Sequence, residues 1–175
     1  FNRKHVDRVQ KSVTLDGTTD FLEVTDHNDF SPTDGSNNDK PFSFACWVKR
    51  NDSANFSLLG KGDNTSSTME YRVFILSNKI YFDIFDNSQS VYRRAFASSA
   101  YTGFGSWTHV GITYDGNEHQ SGMKIYINGE RISNNTTSGG GASWDGIANT
   151  NSDITFGHLE ALASYDLNGL MADIM

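Results

Sequence analysis

The 175-residue chain has a single cysteine, Cys46, so no internal disulfide can form. Only two prolines are present, so few strands can be interrupted by a residue without a backbone N–H. Cations are outnumbered, with 14 Lys and Arg against 21 Asp and Glu and a net charge of −7. Because this balance repels a phosphate backbone, we expect no nucleic-acid partner. A disulfide-stapled secreted scaffold is also excluded.

No apolar run reaches the roughly 20 residues that span a bilayer, so we expect no membrane insertion. No signal-peptide pattern opens the chain, which begins at Phe1. Residues 1–11 are polar and basic, and we interpret them as a linker or arm from an upstream region. Residues 12–175 are predicted to form one domain, which we expect to continue past Met175 because a strand-like run is still in progress there.

Aromatic residues make up 13% of the chain, and this richness favours strands. Eleven strand-like runs are separated by turn dipeptides such as Asp16-Gly17 and Asn128-Gly129. The predicted strands are Ser12–Leu15, Phe21–Val24, Phe42–Arg50, Phe56–Leu59, Glu70–Leu76, Lys79–Phe85, Val91–Ala97, Thr108–Tyr114, Met123–Asn128, Ile154–Gly157 and Gly169–Met175.

Several of these runs alternate apolar and mixed residues. In Phe42–Arg50, for example, Phe44, Cys46 and Val48 share one face, and in Lys79–Phe85 the residues Ile80, Phe82 and Ile84 do so. One apolar face per strand is typical of antiparallel sheets packed face to face. The sequence therefore predicts an all-β fold, a two-sheet antiparallel β-sandwich or jelly roll. Residues 133–153 are predicted to form a long polar loop.

Several motifs, in this order, resemble the laminin-G-like or concanavalin-A-like lectin family, including its pentraxin-like branch. The stretches that carry the resemblance are SVTLDGTTDFLEV, PFSFACWVKR, LLGKGD, SWTHVGITYDG, MKIYINGERI, ITFGH and LNGLMADIM. The resemblance covers residues 12–175 and implies a concanavalin-A-like jelly roll. Its members include sugar binders, protein binders, adhesion modules and structural pieces, so the fold alone does not define a function.

The resemblance also implies a calcium ion at one rim. Pentraxin-like members supply an Asp-Asn pair from one loop and acids and amides from a later one. The corresponding positions here are Asp63 and Asn64 in the first loop and Glu160 and Asp166 in the second. Some relatives hold a structural calcium with an acid of the last strand, which is Asp173 here. The alternative is that these side chains only form turns and strand ends.

A sugar site needs a stacking aromatic ring beside planar polar groups. Trp144 in the predicted loop, with Asp145 and Asn149 nearby, fits this pattern. A second set, Tyr92, Arg93 and Arg94, fits if these side chains point outward from their strand. The alternatives are that Trp144 buries its ring as a loop anchor and that the arginines form a solvated edge.

No arrangement for catalysis is evident in the sequence. A glycosidase needs two facing carboxylates, and no E-x-D-x-x-E run occurs. His109 lies in the W-x-H-V block of the resemblance and is interpreted as a structural strand histidine. No zinc spacing and no phosphate-binding loop are present.

We therefore expect a non-catalytic recognition or adhesion module that binds a glycan or a partner protein on a cell or virion surface. It would be extracellular, on a cell surface or on a virion, as one part of a larger phage or bacterial surface protein, and multivalent or homo-oligomeric display would raise its affinity. The alternative is a structural decoration or spacer domain of a virion. A glycoside hydrolase is the hypothesis that the residues favour least.

Overall fold

Thirteen strands and two single-turn 3₁₀ helices appear in the computed structural model, which describes residues 11–34, 36, 38–63, 68–101, 103–140, 143–159 and 165–175. The strands are β1 (Ser12–Asp16), β2 (Leu22–Val24), β3 (Phe42–Arg50), β4 (Phe56–Lys61), β5 (Tyr71–Leu76), β6 (Lys79–Asp86), β7 (Val91–Ala97), β8 (Thr108–Tyr114), β9 (Lys124–Ile127), β10 (Glu130–Arg131), β11 (Asn134–Gly139), β12 (Ile154–Phe156) and β13 (Asn168–Ala172). The helices are Asn28–Phe30 and Gln120–Gly122, and no helix among these residues is long and apolar enough to cross a membrane.

The strands form two sheets, and every pairing between named strands is antiparallel. The first sheet has six strands in the order β1-β13-β3-β8-β9-β10. The second has seven, in the order β11-β7-β6-β5-β4-β12-β2. One hydrophobic core is enclosed between them. The predicted all-β antiparallel sandwich is thus confirmed.

The core follows from the alternation along the strands. Phe44, Cys46 and Val48 of β3 are buried, and they meet the buried Phe82 and Ile84 of β6 within one cluster. Each such apolar side chain contributes about 1.5–3 kcal/mol through its removal from water. Burial also raises the pKa of the Cys46 thiol to about 12, so this residue behaves as a small hydrophobe.

The prediction of a continuous loop over residues 133–153 is wrong in its first third. Residues Asn134–Gly139 form β11, which pairs with β7 from Asn134 opposite Ala97 to Gly139 opposite Tyr92. This strand lies at the edge of the second sheet and most of its side chains are exposed. An edge strand without a buried face needs no apolar alternation, so the sequence pattern gave no sign of it.

Candidate functional site

One end of the sandwich gathers five connecting segments, which we call the loop rim. Antiparallel pairing brings the segment after β4 beside the one before β12, since Lys61 lies opposite Ile154. It likewise brings the turn after β6 beside the end of β11, because Asp86 pairs with Val91 and Gly139 with Tyr92. The loop rim consists of the described residues of segments 25–41, 62–70, 87–90, 115–123 and 140–153.

A cleft of about 630 Å³ opens at this rim. We call it the rim cleft. Its walls are the β6–β7 turn at residues 86–88 and the segment 145–151, joined by Asn28 and Thr33. Side chains with amide, hydroxyl or carboxylate groups dominate its lining. Asp145 and Asn149, both predicted as ligand-binding residues, lie in it.

Asn87 stands out among the side chains that line the cleft. Its amide oxygen and its amide nitrogen are both shielded from solvent, and neither has a hydrogen-bond partner among the described residues. An amide offers two donor hydrogens and an acceptor oxygen. Because a buried polar group without a partner destabilises the folded state, such a group at the wall of a cleft indicates a place for a ligand.

Asp86 ties the two walls of the rim cleft together. One carboxylate oxygen accepts hydrogen bonds from the Ser88 hydroxyl at 2.7 Å and from the Gln89 N–H at 3.2 Å. The other accepts from the Asp145 N–H at 2.6 Å. The Gln89 amide in turn donates to the Asp145 carboxylate at 2.5 Å. The spacing between the walls is therefore fixed by hydrogen bonds rather than left to loop motion.

Asp39 anchors the start of the 145–151 wall from below. Its carboxylate accepts from the Tyr114 hydroxyl at 2.5 Å, from Trp144 Nε1 at 3.1 Å and from the Ile147 N–H at 2.6 Å. Burial raises the pKa of Asp39, although these donors favour its charged form. The Trp144 ring packs against the core, 5.0 Å from the Arg93 guanidinium. The structure thus places Trp144 as a loop anchor rather than as a free stacking ring.

A buried ion network supports the end of the same wall. Lys61 is fully buried and lies against Asp26, 3.3 Å from Glu70 Oε1, and it donates to the Ser152 carbonyl at 2.7 Å. Glu70 Oε1 accepts from the Thr150 N–H at 2.7 Å. Burial raises the pKa of Glu70, and the positive charge of Lys61 opposes that rise. Sequence reasoning missed this network because its members are distant along the chain.

The predicted set of Tyr92, Arg93 and Arg94 is divided by the alternation of β7. Arg93 pairs opposite Ile84, whose side chain is in the core, so Arg93 lies on the inner face. Arg94 lies on the outer face, where it donates to Asp83 at 2.6 and 2.7 Å. That hydrogen bond raises the pKa of Arg94. The three side chains therefore do not form one binding surface.

Those predicted calcium ligands that the structure describes, Asp63, Asp166 and Asp173, are also separated. Asp63 follows the end of β4, where its carboxylate contacts the Thr68 hydroxyl, whereas Asp166 lies near the start of β4. Six residues of strand correspond to about 20 Å, so Asp63 and Asp166 cannot share one ion. Asp166 pairs with His158 Nδ1 at 2.5 Å, and Asp173 lies beyond the far end of β13. Asn64 and Glu160 lie outside the described residues.

Within the described ranges, no group of three or more His, Cys, Asp or Glu side chains could hold a metal ion. These residues alone do not form a calcium cage, and calcium binding stays a prediction.

We expect any rise in melting temperature on adding calcium to be removed by Asp63→Asn and to persist in Asp166→Asn, because the two loops lie apart. Thermal melts in calcium and in chelator measure this, and loss of the shift in Asp166→Asn would contradict it.

A family model of the laminin-G type, described as the concanavalin A-like lectin/glucanases superfamily, matches residues 16–175. The chain therefore belongs to this superfamily, as its motifs predicted. No curated protein matches the sequence.

Solved structures share the fold at low identity. The LG4-5 domains of the mouse laminin alpha1 chain superpose with a TM-score of 0.59 at 13% identity over 95% of this chain. The receptor-binding domain of botulinum neurotoxin C/D mosaic serotype superposes with a TM-score of 0.61 at 19% identity over 93% of this chain. The SAP-like pentraxin of Limulus polyphemus superposes with a TM-score of 0.54 at 11% identity over 94% of this chain. The chain spans 40%, 38% and 74% of those three chains respectively. Such likeness shows the fold alone.

Proposed function

We propose that this domain is a non-catalytic recognition module that binds a neutral glycan in the rim cleft. The observation that carries the proposal is the Asn87 amide, whose oxygen and nitrogen are both buried at the cleft and have no hydrogen-bond partner in the described part of the chain. A rotation of the Asn87 side chain into the cleft would present its amide to a pair of adjacent sugar hydroxyls, one accepting and one donating, which satisfies both atoms at once. An apolar ligand would leave both unsatisfied.

The remaining lining of the cleft favours the same class of ligand. Asn28, Asn149 and Asn151 add further amides, and Thr33 and Ser88 add hydroxyls. Sugars are recognised by such planar and hydroxyl groups through directed hydrogen bonds. The carboxylates of Asp86 and Asp145, together with the net charge of −7, disfavour sulfated or otherwise anionic glycans.

The cleft is already organised for binding. The contacts of Asp86, Asp39 and Glu70 hold the 145–151 wall at three points along its length. Little loop entropy is then lost when a ligand is bound, which favours affinity. A single shallow polar site still binds weakly, so display in several copies on a cell or virion surface would supply avidity.

The comparisons support a recognition role without defining its ligand. The toxin chain is described as a receptor-binding domain, and a related structure concerns an interaction with two ganglioside molecules. This chain spans about a third of those chains, so their ligands are not transferred to it. We propose that it works outside cells, as one part of a larger phage or bacterial surface protein.

Replacing Asn87 by Leu tests the proposal. We expect binding to neutral oligosaccharides on a glycan array, confirmed by calorimetry, to fall at least about tenfold, since two ligand hydrogen bonds are lost. The melting temperature should stay level or rise, because the substitution removes an unsatisfied buried amide. Asn135→Ala, on the exposed edge strand β11, is the matched control and should bind normally. Full binding by Asn87→Leu, or no bound glycan for the parent protein, would overturn the proposal.

One observation favours a structural spacer as the second candidate. β11 is a six-residue edge strand without charge or proline, the features that usually prevent edge-to-edge pairing. It could therefore pair with a neighbouring subunit. Concentration-dependent association that Thr136→Lys abolishes, in a protein that binds no glycan, would favour this role.

A further inference from the structure

Two of the three tryptophans of the chain line one pocket on the outer face of the first sheet, away from the rim cleft. The pocket has a volume of about 400 Å³. Trp47, Trp107, Leu170 and Ala172 provide its apolar lining, and Ser12 and Asp173 provide its polar groups. We call it the tryptophan pocket.

The two indoles are held by the sheet in different ways. Trp47 belongs to β3 and pairs across the ladder with His109, whose ring meets it edge-on at 5.3 Å between centroids. Trp107 immediately precedes β8 and is 40% exposed. Two tryptophans at one pocket, one of them exposed, form an apolar patch that is unusual on a protein surface. Such a patch indicates a ligand-binding site.

Asp173 directly follows β13, in a bulge between the end of that strand and Met175. Ala172 is opposite Trp47, whereas Met175 exchanges hydrogen bonds of 2.9 and 3.0 Å with Ala45, so Asp173 and Ile174 together oppose the single residue Cys46. Asp173 takes the left-handed conformation, with φ of 45°. The first residue of such a bulge is usually glycine, because a side chain is strained there.

An aspartate is less strained in this conformation than most residues, but it is still less favourable there than glycine. In the described structure the Asp173 carboxylate has no hydrogen bond and no ion pair, so it does not stabilise its own loop. The bulge instead directs it to the edge of the tryptophan pocket. Strained residues of this kind gather at binding sites.

We propose that the tryptophan pocket binds an organic cation with an apolar head, namely a quaternary or methylated ammonium group. The faces of two indoles attract a weakly hydrated cation, and the unpaired carboxylate adds a direct charge attraction. A neutral sugar fits less well, because one carboxylate and one hydroxyl offer few directed hydrogen bonds. An anion is disfavoured by Asp173 itself.

Intrinsic tryptophan fluorescence tests the proposal, with choline as the probe and 3,3-dimethyl-1-butanol as its neutral isostere. We expect a saturable change with choline at millimolar concentration and no saturation with the isostere. Trp107→Ala should weaken choline binding about tenfold through loss of one aromatic face, and calorimetry follows this variant independently of fluorescence. Asp173→Asn keeps the size of the side chain and should weaken binding about threefold to fivefold.

Asp20→Asn removes an exposed carboxylate near the opposite end of β1 and is the matched control for charge, so its choline affinity should be unchanged. Circular dichroism melts check that each variant is folded. Saturation by the neutral isostere at equal concentration, or unchanged choline affinity in Asp173→Asn, would overturn the proposal. Binding to phosphatidylcholine vesicles or to a trimethyllysine peptide, weakened in Asp173→Asn by the same factor as choline binding, would identify the source of the head group.

Discussion

Replacing Lys61 by Met is expected to lower the free energy of unfolding by about 3–5 kcal/mol, the usual cost of leaving one partner of a buried ion pair alone. Lys61 has no exposed side-chain surface, and neither has Glu70 beside it. Met fills a similar volume, so the loss comes from the charge rather than from a cavity. Urea denaturation of the parent and the variant at neutral pH measures the difference.

The decrease in the free energy of unfolding caused by Lys61→Met should depend on pH. Burial already raises the pKa of Glu70, and removal of Lys61 raises it further because that lysine opposes the shift. A carboxyl group whose pKa is higher in the folded state stabilises that state below its unfolded pKa, and this stability is lost as pH rises through the folded pKa. The free energy of unfolding of Lys61→Met should therefore fall further below that of the parent protein at pH 7.5 than at pH 4.5.

A double variant provides the control for this prediction. Lys61→Met combined with Glu70→Gln removes the two charges that are fully buried, and most of the lost stability should return because the one carboxylate left without its partner, Asp26, keeps some contact with solvent. The side-chain amide oxygen at position 70 of that variant still offers Thr150 an acceptor. If Lys61→Met alone proved as stable as the parent protein at pH 7.5, the ion network would have no stabilising role.

Replacing Asp39 by Ala is the second change with a large expected effect. Three donors lose their acceptor at once: the Tyr114 hydroxyl, Trp144 Nε1 and the Ile147 N–H. Each hydrogen bond to a charged acceptor contributes about 1.5–3 kcal/mol, but release of a buried carboxylate offsets part of the loss, so we expect a net decrease of about 3 kcal/mol. Denaturation with urea measures it.

Asp39→Ala should also make the 145–151 wall of the rim cleft more mobile. Trp144 would lose its anchor, so its fluorescence should shift to longer wavelength, and glycan binding should fall with it. Tyr114→Phe is the control, because it removes one donor and leaves the contacts to Trp144 and Ile147, and should cost about 1 kcal/mol. Normal glycan binding by a folded Asp39→Ala protein would show that the anchor does not organise the cleft.

The fold was largely predictable from the sequence because its core strands alternate. The bounds of β3, β7 and β8 agree with the predicted runs Phe42–Arg50, Val91–Ala97 and Thr108–Tyr114. Each of these strands packs one apolar face on the core, so apolar residues recur at alternate positions of its sequence. β10 and β11 escaped prediction because their exposed, polar edges impose no such pattern.

The candidate site was predictable only in its location. Asp145 and Asn149 line the rim cleft, as the polar segment that contains them indicated. Asn87 was missed, because its unsatisfied amide is a property of its surroundings and a turn asparagine gives no local sign of it. The buried pairing of Lys61 with Glu70 was missed for the same reason, since the burial of a charge depends on distant partners.

β1 and β13 lie side by side, with Ser12 opposite Ala172 and Asp16 opposite Asn168. A pulling force applied through Ser12 and Ala172 would load this pair from one end, so its rungs would break one after another instead of sharing the tension. Forced unfolding is governed by the rate of unfolding rather than by equilibrium stability. Under tension between Ser12 and Ala172, the domain would therefore begin to open at the β1–β13 pair and at low force.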